Sequence, residues 1–298
     1  MLFRSRVLDM IKGSYLFDDD AKRIIQDSES QRASFSRQGA AWKAWSILRD
    51  TMLTQLNSSD HNPAVKVQAA PGDSWELDTA QMRKYFVKGG PESHGQHGFV
   101  FSNANWDPYP MANEVEAFSI ALANMDVAVV QRIYRFSSTF FTQIAPKDVL
   151  TPEQLEASVQ SDVDGYNPTA IWQEIQSLAH ALTPEGNPIS NDVEELQAQT
   201  VLKVSRARQT VDDTLLLLGE DLLTATFWMD IRRIQAPGRN FGRAPTAAWT
   251  AFRLAVPWQQ SPQARSLEPM GNVVHAFMTA HPAAEFYAPL ANDIGGGS

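Results

Sequence analysis

The sequence predicts an all-α protein whose long antiparallel helices form part of a multi-helix bundle. Apolar residues recur every three to four positions over two long segments, and no proline interrupts either segment. Strand signals are confined to short runs. Because helices of this length exceed the diameter of an ordinary domain, we expect the bundle to be shared between subunits.

The first long helix is predicted over residues 111–145, where neither glycine nor proline occurs. About 30 residues in helical conformation measure roughly 45 Å. Its apolar stripe is Val115, Phe118, Leu122, Met125, Val129, Ile133, Phe136 and Phe140. The second long helix is predicted between Leu196 and Ile234, with Gly219 as its single interruption, and measures roughly 55 Å.

Shorter helices and a small strand pair complete the predicted secondary structure. The segment from Ser34 to Leu56 places Trp42 and Trp45 on one helical face. Further helices are predicted at Pro168–Leu182, Thr246–Val256 and Pro269–Thr279, the last with proline at its first helical position. Two short runs, Val65–Val67 and Phe99–Phe101, are predicted to pair as a hairpin-like patch.

We interpret residues 1–298 as a single helical domain. Its segment 58–110 is long, aromatic and rich in Gly, Pro and Asn, which is typical of an active-site or interface loop region. Residues 285–298 end in Gly-Gly-Gly-Ser and are predicted to form a flexible tail.

Composition excludes several classes of function. The 25 basic and 34 acidic residues give a net charge of −9, which disfavours nucleic-acid partners. The absence of cysteine excludes thiolate nucleophiles and cysteine-based zinc sites. His94 and His97 form only a weak metal pattern, so we predict a solvated loop and no metal site there. Without an apolar run long enough for a membrane span or a signal peptide, we expect a cytoplasmic protein with no membrane partner.

Seven short strings follow one another along the chain. They are Gln26–Arg32 (QDSESQR), Asn57–Pro63 (NSSDHNP), Asn105-Trp106 with Glu116–Ala123, Arg132-Ile133, Ser190–Glu195 (SNDVEE), Leu218–Arg232 (LGEDLLTATFWMDIR) and Phe252–Trp258. In this order they resemble the histidine, phenylalanine and tyrosine ammonia-lyases. That family uses a methylidene-imidazolone (MIO) electrophile made from an internal Ala-Ser-Gly. The resemblance implies the ammonia-lyase or fumarase/aspartase-like fold and covers only the family's C-terminal half.

The resemblance also implies roles for individual side chains. Arg32 matches the arginine that holds the substrate carboxylate, a task for which a guanidinium is suited because it pairs bidentately. Gln26 is implied to act in catalysis, since Gln26 and Asn105 match residues that hydrogen-bond near the electrophile and the substrate. Trp106 replaces a phenylalanine beside the electrophile. Glu194 matches the glutamate that faces the substrate ring in histidine-type enzymes.

Two kinds of alternative stay open at these positions. Glu29 replaces the family tyrosine; it either pairs with Arg32 and blocks the carboxylate site, or acts as a catalytic general base if burial raises its pKa. The structural alternatives are a helix-cap ion pair for Arg32, a core position for Trp106 and a helix-start carboxylate for Glu194.

The sequence contains no Ser-Gly dipeptide, so its own residues do not form MIO. The resemblance therefore implies a partner, an N-terminal-half lyase-like chain that carries MIO. The predicted function is the C-terminal subunit of a split ammonia-lyase or aminomutase, in a tetramer-like oligomer, acting on a small aromatic amino acid or a derivative. The alternatives are an inactive scaffold, or a repurposed enzyme without MIO that uses Glu29 for acid–base chemistry.

Overall fold

A computed structural model describes residues 7–19, 21, 26–72, 83–158, 165–191, 194–258 and 269–287. Its helices are α1 (Glu29–Arg32), α2 (Ser34–Leu56), α3 (Tyr109–Phe136), α4 (Thr139–Thr142), α5 (Pro152–Ala157), α6 (Tyr166–Leu178), α7 (Thr200–Gln235), α8 (Arg243–Ala255), α9 (Met270–Ala280) and α10 (Ala284–Tyr287). Its strands are β1 (Ala64–Val67), β2 (Phe86–Val87) and β3 (Gly98–Phe101). The predicted all-α class is confirmed.

The two long helices are both present, with shorter bounds than the sequence predicted. Helix α3 has 28 residues and ends at Phe136, because the following serine pair leaves the helix and Ser138 becomes the N-cap of α4. Helix α7 has 36 residues and begins at Thr200 instead of Leu196. Gln199 stops it there, since its φ of 53° is left-handed and cannot continue a right-handed helix.

The shorter helices agree closely with the predicted pattern. Helix α2 spans Ser34–Leu56 as expected, and α8 and α9 begin within three residues of their predicted starts. Pro269 is the N-cap of α9 and not its first helical residue. Helix α5 has a capping box at its N-terminus. The Gln154 N–H donates to Thr151 Oγ1 (3.2 Å), and the Thr151 N–H donates to Gln154 Oε1 (3.0 Å).

The chain divides into two compact units. The first unit comprises Met1–Lys43, Phe118–Ala181 and Ser205–Ser298. Within it, α3, α6 and α7 pack around a buried cluster that includes Val129, Ile133, Ile175 and Leu217. A second cluster joins α7, α8 and α9 through Leu223, Phe252 and Phe277, and the last two rings meet edge to face with centroids 5.1 Å apart.

The second unit comprises Ala44–Ala117 and Leu182–Val204 and contains the sheet. The strand order is β1-β3-β2 and both pairings are antiparallel. The predicted pairing of Val65–Val67 with Phe99–Phe101 is confirmed, since Val65 lies opposite Val100 and Lys66 opposite Phe99. Strand β2 was not predicted. Its Phe86 packs against the buried ring of Phe99, with centroids 5.3 Å apart.

The segment 58–110 therefore carries a small sheet as well as loops. Of the tail predicted at 285–298, residues up to 287 belong to α10 and the others lie outside the described residues. Among the helices that the structure describes, none is long and apolar enough to cross a membrane. The single domain over 1–298 stays a prediction.

Two helical glycines provide a matched pair of predictions about stability. A Cβ at Gly219 would lie 2.3 Å from Val274 Cγ1, and valine has little rotamer freedom with which to move away. We expect Gly219→Ala to lower the free energy of unfolding by about 1–3 kcal/mol. Gly39 has no heavy atom within 4 Å of its Cβ position, so Gly39→Ala should raise the free energy by about 0.5–1 kcal/mol. Urea unfolding measures both, and equal changes in the two variants would contradict the packing argument.

Candidate functional site

The residues assigned to a site fall into two groups, one in each unit. The first unit holds Gln26, Glu29 and Arg32, and the second unit holds Asn105, Trp106 and Glu194. All six are exposed, and Trp106 shows 40% of its surface to solvent.

The first group occupies one short segment around the single-turn helix α1. Ser28 is the N-cap of this turn, and Glu29 and Arg32 are its first and last residues. The Arg32 Nε–H donates to the backbone oxygen of Asp27 at 2.9 Å, which fixes one edge of the guanidinium. In the part of the chain that is described, no carboxylate forms an ion pair with Arg32, Glu29 included. The rest of the guanidinium is therefore open to a ligand.

Glu29 is exposed at the start of α1. The general-base alternative requires burial, and this chain on its own does not bury the carboxylate. A first-turn carboxylate is in any case favoured by the helix dipole.

The second group depends on the register of the sheet. Ala64, which begins β1, lies opposite Phe101, which ends β3, so the residues outside these two ends meet. Asn103 joins them: its Nδ2 donates to the His61 oxygen (3.0 Å), and its backbone N–H donates to Asn62 Oδ1 (3.1 Å). Asn103 Oδ1 then accepts the Asn105 N–H at 2.9 Å. Two of the strings that suggested the family are thus held together in this unit.

The structural alternatives offered for Trp106 and Glu194, a core position and a helix-start carboxylate, do not describe where these residues lie. Trp106 follows Asn105 and is exposed, so it is not a core residue of this chain. Glu194 exchanges backbone hydrogen bonds with Ile189 (2.8 and 3.3 Å) across a turn in which Ser190 and Asn191 have left-handed φ values of 53° and 58°. The expectation that Glu194 starts the long helix is wrong, because α7 begins at Thr200.

Sequence reasoning missed a set of buried carboxylates in the first unit. Asp126 on α3 is fully buried, and burial raises its pKa to about 7. Thr214 Oγ1 lies 2.7 Å from Asp126 Oδ2 and 2.7 Å from the Thr210 carbonyl oxygen. A hydroxyl carries one proton, so both contacts are hydrogen bonds only when Asp126 is protonated and donates to Thr214.

Two other carboxylates in this unit, Asp221 and Asp213, have hydrogen-bond partners, and burial still raises their pKa values. Asp221 lies 2.5 Å from the guanidinium of Arg132, and burial nevertheless raises the pKa of Asp221. Arg132 also donates to Ser34 Oγ at 2.7 Å, so α2 and α7 are both tied to α3. Burial likewise raises the pKa of Asp213, which accepts a hydrogen bond from Gln209 (2.9 Å).

Metal binding has no support within the described ranges. These ranges contain no group of three or more His, Asp or Glu side chains that could hold a metal ion. His94 is exposed in the loop before β3.

Comparisons with known proteins agree on one family. The model of the family described as aromatic amino acid lyase matches residues 3–254. The histidine ammonia-lyase of Shouchella clausii is 21% identical over 78% of this chain and 40% of its own length. The histidine ammonia-lyase of Clostridium tetani is 21% identical over 84% of this chain and 42% of its own length. The chain thus spans about two fifths of the length of these curated relatives.

Solved structures show the same fold. The ergothionase of Treponema denticola, an enzyme that degrades ergothioneine, matches with a TM-score of 0.69 and 20% identity over 92% of this chain and 48% of its own. The histidine ammonia-lyase of Trypanosoma cruzi matches with a TM-score of 0.68 and 15% identity, over 89% and 45% of the two chains. The phenylalanine aminomutase of Pantoea agglomerans has a TM-score of 0.63 and 15% identity, over 91% and 49%.

Proposed function

Because this chain belongs to the aromatic amino acid lyase family, we propose that it is the C-terminal subunit of a split ammonia-lyase or aminomutase. Its substrate is a small aromatic amino acid or a derivative. A second chain that resembles the family's N-terminal half supplies MIO, and the two chains assemble into a tetramer-like oligomer in the cytoplasm.

One observation carries this proposal: the six candidate residues of a family member are all exposed in this chain. A guanidinium in water binds a carboxylate weakly, because the high dielectric constant and side-chain entropy offset most of the attraction. The same pair is stronger in a site from which water is excluded. A partner chain that covers Arg32 would provide such a site.

Exposed apolar side chains supply surface for such a partner. Helix α2 exposes 67% of Phe35 and 71% of Trp42, and the start of α7 exposes 82% of Val201. Large apolar side chains exposed in such number are typical of interaction surfaces.

The residues of this chain are suited to binding the substrate, whereas they cannot form the electrophile. No Ala-Ser-Gly occurs in the sequence, so the residues of this chain do not form MIO. Arg32 can hold the substrate carboxylate bidentately, and Trp106 can pack on the substrate ring. Gln26 and Asn105 offer amide groups for hydrogen bonds. Glu194 suits a substrate with a polar or basic ring.

The partner is tested by purifying this chain from its own host under mild conditions and measuring the intact mass of every protein that elutes with it. We expect a stoichiometric second chain that is lighter than its gene predicts by two waters, which is the mark of a cyclised Ala-Ser-Gly. A homo-oligomer without any second chain would overturn the split-enzyme proposal. The repurposed or scaffold alternatives, which the replacement of the family tyrosine by Glu29 favours, would then remain.

Arg32 provides the prediction about activity. In the reconstituted complex we expect Arg32→Ala to lower kcat/KM by about 10- to 100-fold, because charge-assisted hydrogen bonds to the substrate carboxylate are lost. Arg32→Lys should retain part of the activity, since it keeps the charge but not the bidentate geometry.

The matched control for Arg32 is Arg37→Ala, which also removes an arginine that donates to a backbone oxygen, in this case that of Asn124 at 2.9 Å. We expect the control to change kcat/KM less than twofold, or about 0.4 kcal/mol. Unchanged steady-state kinetics in Arg32→Ala would show that the carboxylate is bound elsewhere.

A further inference from the structure

The first unit contains a cavity of about 540 Å³ between its N-terminal segment and helices α3 and α7. Gln26, Glu29 and Arg32 do not line it, whereas their neighbours Asp27 and Gln31 do. The cavity is therefore distinct from the candidate substrate residues. Its volume is within the range of pockets that hold small organic ligands.

Aromatic rings form most of the apolar wall. They are Tyr15, Phe17, Phe136, Phe141, Trp228 and Phe241. Tyr15 is held by the hydrogen bond from its N–H to the Asn240 oxygen (2.8 Å) and by an edge contact with Phe241 at 5.9 Å between centroids. Such walls favour a flat, apolar ligand group.

Two guanidinium groups, those of Arg135 and Arg232, also line the cavity. Arg135 donates to Gln131 Oε1 (2.9 Å) and stacks on Phe141, with 5.5 Å from its Cζ to the ring centroid. Arg232 donates to the backbone oxygen of Thr142 and to Gln235 Oε1. In the described part of the chain, neither arginine forms an ion pair with a carboxylate.

Among the described residues, no carboxylate therefore neutralises the charge of these two arginines through an ion pair. Arg239 shares the acceptor Gln235 Oε1 with Arg232, which adds a third cation nearby. Burial is the main cause of the lowered pKa of Arg232; Tyr15 opposes this shift, and Arg239 adds to it. Among the lining residues that the structure describes, the one carboxylate is that of Asp27, which is exposed. Partly buried cations beside aromatic walls match a ligand with one anionic and one aromatic group.

We propose that this cavity is a second ligand site that binds a small aromatic carboxylate. The carboxylate contacts Arg135 and Arg232, and the ring packs among the aromatic side chains. The proposal does not rest on the proposed lyase function, because it requires neither Arg32 nor a partner chain.

The test is calorimetric titration of the full chain with 3-phenylpropanoate. We expect saturable 1:1 binding, and affinities at least about tenfold lower for 3-phenylpropan-1-ol, which lacks the charge, and for acetate, which lacks the ring. Arg135→Gln should weaken binding of 3-phenylpropanoate by about tenfold or more, because it removes a charge-assisted hydrogen bond.

Three further variants make the result specific to the cavity. Ala225→Phe fills the cavity without changing its charge and should abolish binding. Arg206→Gln is the control for Arg135→Gln, since Arg206 is half-buried like Arg135 but lies outside the cavity, where it donates to the backbone oxygens of Leu178 and Ser177 (2.9 Å each). Arg37→Ala should likewise leave binding unchanged, because Arg37 donates to the backbone oxygen of Asn124 and does not line the cavity. Absence of saturable binding, or binding that survives both Arg135→Gln and Ala225→Phe in folded protein, would overturn the proposal.

Discussion

Replacing Arg253 with methionine is expected to lower the free energy of unfolding by about 3–5 kcal/mol. The guanidinium of Arg253 lies 2.5 Å from Asp230 Oδ2, and the two side chains are only 9% and 7% exposed. Trp249 Nε1 donates to the other carboxylate oxygen at 2.9 Å. Burial raises the pKa of Asp230 and lowers that of Arg253, which shows how strongly each charge is desolvated. Without Arg253, the described residues leave this buried carboxylate with one neutral hydrogen-bond donor, Trp249, and the weaker influence of the Arg233 charge.

Urea unfolding at pH 7 measures this change, and two controls define its cause. Arg49→Met removes an exposed arginine paired with Asp50 at 2.8 Å and should cost less than about 1 kcal/mol. The double variant Asp230→Asn/Arg253→Met should recover at least about 2 kcal/mol of the loss, because no unpaired charge remains. A loss below about 1 kcal/mol in Arg253→Met would mean that water or another group reaches Asp230.

The helices were predictable because their apolar period is long and unbroken. The stripe from Val115 to Ile133 defines α3, and tertiary contacts were not needed to recognise it. The ends were less predictable. Phe140 continues the apolar period beyond the last residue of α3, yet it lies in α4. The start of α7 depends on a left-handed residue, Gln199, and glutamine carries no sequence signal for that conformation.

The candidate residues were identified from short sequence strings. The structure brings two of these strings together in the second unit and gives a third, around Glu194, a local structure that was not expected. The register of β1 with β3 explains why Asn62 and Asn105 are held near each other, which spacing along the chain does not reveal. For Glu194, adjacency to a long helix suggested a first-turn position. Instead, Glu194 pairs through its backbone with Ile189, on the other side of the turn at Ser190 and Asn191.

A signal for the buried carboxylates was present in the sequence. Asp126 stands four residues after Leu122 and three before Val129, so it lies on the buried face of α3. Asp230 occupies the same kind of position after Leu223 and Phe227 on α7. A charged residue within an apolar stripe indicates a buried polar interaction. Its partner cannot be named from one helix alone, since Thr214 and Arg253 are supplied by other helices.

Asp126 should also make stability depend on pH. Burial raises its pKa from 3.8 to about 7, so the native state holds this proton more tightly than the unfolded state does. The stabilisation is complete below pH 3.8 and is lost as the pH rises through about 7. In Asp126→Asn nothing ionises at this position. Relative to the wild type, its free energy of unfolding should therefore rise by about 3 kcal/mol between pH 5 and pH 8.

The comparison between variant and wild type cancels the carboxylates that both proteins share. Asp213 raises the pKa of Asp126 and is itself shifted upward by burial, so its coupling changes in the variant and is the main correction. Asn124→Ala is the control, because Asn124 is exposed on the same helix and its replacement removes no ionisable group, so the difference of this variant from the wild type should stay flat with pH. If Asp126→Asn also shows a flat difference from pH 5 to pH 8, Asp126 does not change its ionisation in this range. Thr214 could then donate to either Asp126 or Thr210, but not to both.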